Sequence, residues 1–308
     1  MNFDLSDDQR TIKSTAREFL TARYPLAEVR RLALDDERGW TDQQWNEMVE
    51  LGWPDIAELG TIEMVVVAEE LGYACAPTPL QSTWAAGLLG APLDGGRGAV
   101  VIGDLAADAG TADVLVDWDG AVVTGATVEP VRALDPTRRW FRVEGGDRSG
   151  GGDVTRGRGQ AVVMSAAESV GVAQRAMDMA VEYAKERKQF DRPIGTYQAV
   201  SHVCAQMLLE VEGARSAVYW AAWALDYEPE TAPLAVACAK AYAGDAGRRV
   251  PRAALQVHGG IGFTWEHDLH LFLKRAQLDQ LSFGDAAYHR VRLAALLRDR
   301  VETGASVI

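Results

Sequence analysis

The sequence predicts a mainly α protein with a small, reduced antiparallel β domain set between two helical domains. Two observations predict it. Apolar residues recur at helical period over 1–94 and again over 160–303, while short β-branched runs separated by turn residues occupy 98–143. Between the β runs and the second helical stretch, seven of the fifteen residues from 145 to 159 are glycine, which reads as a flexible, poorly ordered linker. The expected domains are therefore an N-terminal helical domain (1–94), a reduced β domain (95–150) and a C-terminal domain of four-helix-bundle type (151–308).

Each element has a local reason. Ser6 with Gln9 and Thr41 with Gln44 have capping-box spacing, so helices should start there. Gly52 is placed to stop the second of these. Residues 61–71 are apolar almost all round and predict a buried helix ending at Gly72. Pro77 and Pro79 then break the chain before a short helix near 82–89. In the β region Asp119-Gly120 is a hairpin signal, because glycine tolerates positive φ. Long helices follow near 165–187, 197–226, 232–249, 265–277 and 286–301. Pro251 predicts a kink or restart if the third of these runs on. Trp220, Trp223 and Tyr227 are candidates for either core or interface.

Thirty-one Lys and Arg against forty-four Asp and Glu give a net charge of −13. That argues against a nucleic-acid binder, which needs a basic face, and against docking on anionic lipid. Cys75, Cys204 and Cys238 form no CxxC pair and suit a reducing compartment. The acidic start of the chain lacks the apolar segment of a signal peptide, and no apolar run reaches 18 residues, so a cytoplasmic protein is expected. No P-loop, HExxH or GxSxG occurs. Gly260 and Gly262 lack the third glycine and the βαβ context of a dinucleotide fingerprint. His258, His267 and His270 lie close in sequence without further ligands at metal spacing, so no metal is expected. No Ser/His/Asp nucleophile context stands out.

Two segments are specific. Tyr183-Ala-Lys-Glu-Arg187-Lys-Gln-Phe190-Asp-Arg-Pro-Ile-Gly195 with Tyr197-Gln198 resembles the first signature of the acyl-CoA dehydrogenase family. Gln256-Val257-His258-Gly259-Gly260-Ile-Gly-Phe263 resembles its second. The run Ala241-Tyr-Ala-Gly-Asp245 and Phe272-Leu-Lys-Arg275 also fit, and the resemblance covers 165–297 closely. It implies an oligomer of helical bundles that binds FAD across subunits and dehydrogenates an acyl-CoA between its α and β carbons, passing electrons to an acceptor protein. Arg187, Phe190, Gln198, Gln256, Val257, Gly259 and Gly260 would hold the adenosine and pyrophosphate end of FAD. The residue types suit that role. Arg187 offers a forked donor to phosphate, Phe190 can pack on the adenosine end, Gln198 and Gln256 offer amides, and the glycines admit close backbone approach.

Three departures accompany the resemblance. The family's Glu base corresponds to Phe283 in Leu281-Ser282-Phe283-Gly284-Asp285, and its alternative place to Gly244; Asp245 and Asp285 each lie one residue away. The family's Thr-Glu-Pro-like flavin loop has no counterpart in 95–150, and the glycine-rich stretch replaces the Glu-Arg segment before the bundle. The catalytic residue is therefore unknown. These losses fall on the chemistry and spare the nucleotide end, so the leading expectation is one subunit of a hetero-oligomer (α2β2) whose partner carries the Glu. Val131-Arg-Ala-Leu-Asp-Pro-Thr-Arg-Arg139 resembles chains of the actinobacterial steroid-type enzymes of this kind, which take bulky acyl-CoA thioesters. A self-sufficient homo-oligomer using Asp285 and a non-catalytic acyl-CoA-binding scaffold remain as alternatives.

Overall fold

The computed structural model describes residues 4–304. Five α-helices come first: α1 (Asp7–Arg23), α2 (Leu26–Leu34), α3 (Asp42–Glu50), α4 (Thr61–Ala74) and α5 (Leu80–Leu88). Both expected capping boxes form. Ser6 accepts from the Gln9 amide and Thr41 from the Gln44 amide, while each glutamine side chain reaches back. Gly52 takes φ +70 just beyond α3, as a helix stop requires.

Seven strands follow: β1 (Gly98–Val101), β2 (Leu105–Ala107), β3 (Val114–Asp117), β4 (Ala121–Thr124), β5 (Thr127–Val131), β6 (Trp140–Glu144) and β7 (Asp147–Gly150). They form one sheet in the order β1-β3-β4-β7 and a second in the order β2-β6-β5. The β3–β4 hairpin turns at Asp119-Gly120, with Gly120 at φ +80. The unit is not wholly antiparallel: β1 and β3 run parallel, Gly98 opposite Val114. A parallel pair needs a crossover, and the excursion of β2 into the second sheet supplies it.

The glycine-rich stretch is built rather than loose. It contains β7, paired with β4 from Thr124 opposite Asp147 to Ala121 opposite Gly150. It also contains the first turn of α6 (Thr155–Glu186), ten residues before the predicted start. A Cβ on Gly157 would lie 1.9 Å from the Leu88 carbonyl oxygen, so glycine here serves close helix packing. Gly72 is corrected in the same way. It lies inside α4, where a Cβ would meet the Glu168 carbonyl oxygen at 2.2 Å, and Gly171 of α6 faces the Glu69 carbonyl oxygen in return. The helix instead ends with Cys75 at φ +51.

The hairpin β8–β9 (Lys188–Gln189, Arg192–Pro193) leads to α7 (Gln198–Tyr227), α8 (Ala232–His258), α9 (Leu269–Asp279) and α10 (Ala286–Thr303). The helix does not restart at Pro251: α8 continues to His258, with Pro251 buried inside it. Trp220 and Trp223 pack partly against the core, whereas Tyr227 is exposed.

The helices on both sides of the β unit share one apolar core, from Leu20 and Met64 through Val170 and Val218 to Phe272. A second, small core of Ala99, Val101, Ala106, Val123 and Val143 lies inside the β unit. Strand β1 joins the two by alternation: Val100 belongs to the helical core, its neighbours Ala99 and Val101 to the other. Beside Val100, on the helical-core side of β1, a cleft opens.

Candidate active-site cleft and cofactor-facing surface

Helix α5, strands β1 and β2, the 131–140 segment, α6 and residues 278–283 enclose a cavity of about 420 Å³. That is ample for a small-molecule ligand, since such pockets span roughly 300–1,000 Å³. Its wall is mostly apolar, with Gln81, Arg138, Ser165 and Glu168 among the polar exceptions.

Behind that wall runs a buried ionic network. Arg138 donates to Glu168 at 2.9 Å and also pairs with Gln81. Arg275 donates to Asp135 at 2.7 Å, to the Thr137 carbonyl oxygen at 3.0 Å, and to Glu168. Asp135 in turn accepts from the Thr137 amide at 2.9 Å. Burial opposes ionisation of Glu168, but the Arg138 and Arg275 guanidiniums outweigh it and hold the carboxyl below its usual range. Burial and the charge of Glu168 push Asp279 well above the usual carboxylate range.

Phe283 lines this cavity, at φ +59, and its ring stacks on Trp118 from the β3–β4 turn at 5.2 Å. It offers no proton acceptor. A Cβ on Gly244 would meet only Gln280. Asp245 is paired with Arg290 and Arg249, and Asp285 caps α10 by accepting from the Tyr288 amide at 2.7 Å. Neither aspartate lines the cavity. Glu168 is the one carboxylate among the described residues that does, and its two guanidinium partners make it a poor proton acceptor.

The two signature segments meet at one end of the bundle. The ring of Tyr183, near the end of α6, stacks on His258 at the end of α8, 4.7 Å between centroids. Arg187 is the C-cap of α6 and is exposed. Phe190, at φ +52 in the β8–β9 turn, is 88% exposed and touches Tyr197 edge-on. Gln198 opens α7 and, like Gln256, is exposed. Among the described residues none bonds the side chains of Arg187, Gln198 or Gln256. Gly259 has φ +62, and a Cβ on it or on Gly260 would meet nothing within 4 Å. Val257 differs from the others: it lies within the last turn of α8 and its side chain is buried. Arg30 of α2 anchors the loop beyond, donating to Asp268 at 2.8 Å and to the Trp265 carbonyl oxygen at 2.7 Å.

Of the three histidines, His258 and His267 meet edge-on, 4.5 Å between ring centroids. His258 Nδ1 lies 2.7 Å from the Ala254 oxygen, His267 Nδ1 accepts from the Leu269 amide, and His270 packs on Trp265. The buried network is what sequence reasoning missed. Its signal was there: Glu168 and Lys240 are single charges inside long apolar runs.

The chain is thus a helical protein with a small β unit, a largely apolar cleft and an exposed surface where the two signature segments meet. Residues 6–95 match the acyl-CoA dehydrogenase N-terminal domain and residues 156–297 the C-terminal domain. The chain is 32% identical to the acyl-CoA dehydrogenase IpdE2 of Mycolicibacterium smegmatis over 300 residues, 88% of this chain and 93% of that protein. In fold it is similar to the Tcur3481-Tcur3483 steroid ACAD, with TM-score 0.84, 22% identity, and coverage of 96% of this chain and 99% of that one. It is also similar to the ChsE4-ChsE5 complex of Mycobacterium tuberculosis, with TM-score 0.82, 23% identity, and coverage of 97% and 99%. The chain therefore belongs to the acyl-CoA dehydrogenase family, FAD-dependent oxidoreductases acting on the CH–CH bond of an acyl-CoA. Among the described residues no helix is long and apolar enough to cross a membrane.

The residues present fit one end of that cofactor. Arg187, Gln198 and Gln256 are unpartnered donors beside two glycines with open space, which suits phosphate and amide recognition. The cleft lacks an available carboxylate base.

Proposed function

We propose that this chain is one subunit of an FAD-dependent acyl-CoA dehydrogenase of α2β2 type, and that it grips the adenosine and pyrophosphate end of a cofactor whose reacting ring lies against a partner subunit. The observation that carries this reading is an asymmetry. The donors Arg187, Gln198 and Gln256 stand without partners of their own, while Phe283 fills the place of the base. Bound FAD would supply hydride acceptance. This chain's own part is to bind: Arg187 to phosphate, Phe190 to the adenosine end, Gln198 and Gln256 by their amides, and Gly259-Gly260 by close backbone approach, with Val257 contributing main chain. The partner's carboxylate would take the α-proton.

The division of labour follows three segments, 1–94, 95–150 and 151–308, the last holding the cofactor-facing surface. The names of the relatives favour a bulky, steroid-derived acyl-CoA as substrate, a hetero-oligomer as the working form, and a place in steroid catabolism. An electron-transfer protein would reoxidise the flavin. The acidic charge and the lack of a spanning helix among the described residues fit a cytoplasmic enzyme without nucleic-acid partners.

Native mass spectrometry with flavin absorbance, on the chain alone and co-expressed with a neighbouring dehydrogenase-like chain, tests this. The lone chain should carry no flavin and show no turnover, and co-expression should restore both. Turnover by the lone chain with its own flavin would establish the homo-oligomer instead. Acyl-CoA binding without flavin reduction in any combination would leave the scaffold.

A further inference from the structure

Ser165 and Lys240 take no part in the reading above. Ser165, on α6, is buried on the wall of the cavity. Lys240, on α8, is wholly inaccessible to solvent, yet its Nζ lies 2.9 Å from Ser165 Oγ and 2.6 Å from the Asp279 carbonyl oxygen. A buried ammonium is costly unless it is paired.

The surrounding charges decide its state. Arg138 and Arg275 are matched by Glu168 and Asp135, which leaves Lys240 with Asp279. The Asp279 carboxylate accepts no hydrogen bond, although an Arg138 nitrogen stands 3.5 Å away. Burial pushes Lys240 down to about 8, against the pull of Asp279 and Glu168, and pushes Asp279 up, so Lys240 sheds its proton at a lower pH than an exposed lysine does. From α10, His289 interacts with Lys240 and is itself pushed down by burial. Lys240 Nζ donates to the Asp279 main-chain oxygen and to Ser165 Oγ, and the Ser165 hydroxyl donates to that same Asp279 oxygen at 3.4 Å; once Lys240 gives up its proton, its lone pair can take the Ser165 hydroxyl hydrogen.

The same cavity wall carries two buried N–H donors without a partner, Gln81 Nε2 and Trp140 Nε1. Arg138 holds Gln81 by its oxygen and leaves the amide nitrogen free. Unpaired buried donors cost free energy until an acceptor oxygen arrives.

We propose that Ser165 and Lys240 are a nucleophile–base dyad that hydrolyses esters and thioesters of apolar acyl groups seated in this cavity, with Gln81 and Trp140 donating to the carbonyl oxygen. Ser165 Oγ bonds to the acyl carbon as Lys240 takes its proton. The carbon–sulfur bond breaks, and the leaving thiolate receives that proton. Water, deprotonated by Lys240, then attacks the acyl-serine, releasing the acid and restoring the hydroxyl. Ser–Lys pairs serve this chemistry on unrelated folds and are recognised by geometry. A search for Ser/His/Asp contexts does not see them. The proposal needs neither flavin nor a partner, so it stands or falls separately from the dehydrogenase reading.

The test uses the full chain, free of flavin, with p-nitrophenyl butyrate and butyryl-CoA as probes. Release of p-nitrophenolate or thiol should exceed the blank and rise as pH passes through about 8, where Lys240 loses its proton. Ser165→Ala should lower the rate about 100-fold or more, the usual loss when acid–base chemistry is removed. Lys240→Arg, which keeps the charge but holds its proton, should do the same. Intact-mass and peptide analysis should place a butyryl group on Ser165. A rate no higher than the blank, a Ser165→Ala rate equal to that of the parent, or acylation confined to other residues would overturn the dyad. If Lys240→Arg fails to fold, Ser165→Ala alone decides.

Discussion

Two regions of this molecule hold their arginines in opposite ways. Around the cleft, Arg138 and Arg275 are buried and fully engaged by Glu168, Asp135 and backbone oxygens. At the end of the bundle, Arg187 is exposed and unengaged beside Gln198 and Gln256. Buried charge is tolerated only when it is paired, so the first set ties the β unit to α6 and α9. Exposed, unpaired donors contribute nothing to the fold of the lone chain and are free to meet a ligand. One residue type thus holds structure in one place and, in the function proposed above, meets the cofactor in another, and burial separates the two.

Removing one arginine from each region should break or sharpen that contrast. Arg275→Ala leaves Asp135 buried without its guanidinium partner and Glu168 with Arg138 alone, and loss of one member of a buried pair costs about 3–5 kcal/mol. Urea unfolding should show it as a lower midpoint. Arg187→Ala should leave the midpoint within about 0.5 kcal/mol, as exposed sites do. Its effect belongs to the assembled flavoprotein, where losing a charged hydrogen bond worth about 1.5–3 kcal/mol should weaken flavin retention roughly 10- to 100-fold. An Arg187→Ala chain as unstable as Arg275→Ala would erase the distinction.

Glycines extend the comparison at smaller cost. Gly72→Ala puts a methyl 2.2 Å from the Glu168 carbonyl oxygen and forces α4 and α6 apart. Overpacking of this kind costs about 1–3 kcal/mol. Gly260→Ala places its methyl where the protein has nothing within 4 Å, so the midpoint should hold while the flavin content of the assembly falls. Unchanged flavin content would remove Gly260 from the cofactor surface.

These contrasts also show how much the sequence disclosed. The capping boxes at Ser6 and Thr41, the hairpin at Asp119-Gly120 and the apolar helix beginning at Thr61 depend on neighbours a few residues apart, and local pattern finds them. The glycines between 145 and 159 misled because composition alone does not distinguish a flexible chain from a tight packing contact. Gly157 is small because Leu88, 69 residues earlier in sequence, lies against it. The parallel pairing of β1 with β3 and the Arg138–Glu168–Arg275 network are likewise long-range facts. The signature residues were legible as a set through the family resemblance. Their exposure was not, since it follows from where α6 and α8 end relative to one another.

The smallest expected effect concerns Asp285, the residue that sequence alone left as a substitute base. Its carboxylate accepts from the Tyr288 amide and caps α10. Asp285→Ala should therefore cost about 1 kcal/mol, the usual worth of an N-cap, and Asp285→Asn should recover most of it because asparagine caps equally well. Turnover of the assembled enzyme should stay at the parental level in both. A base behaves otherwise: asparagine cannot take a proton, so both variants would lose roughly 10²–10⁴-fold in rate. A stable Asp285→Asn chain with that loss would return the chemistry to this subunit. Parental turnover together with the unfolding shift of a lost cap in Asp285→Ala alone would confine Asp285 to the fold.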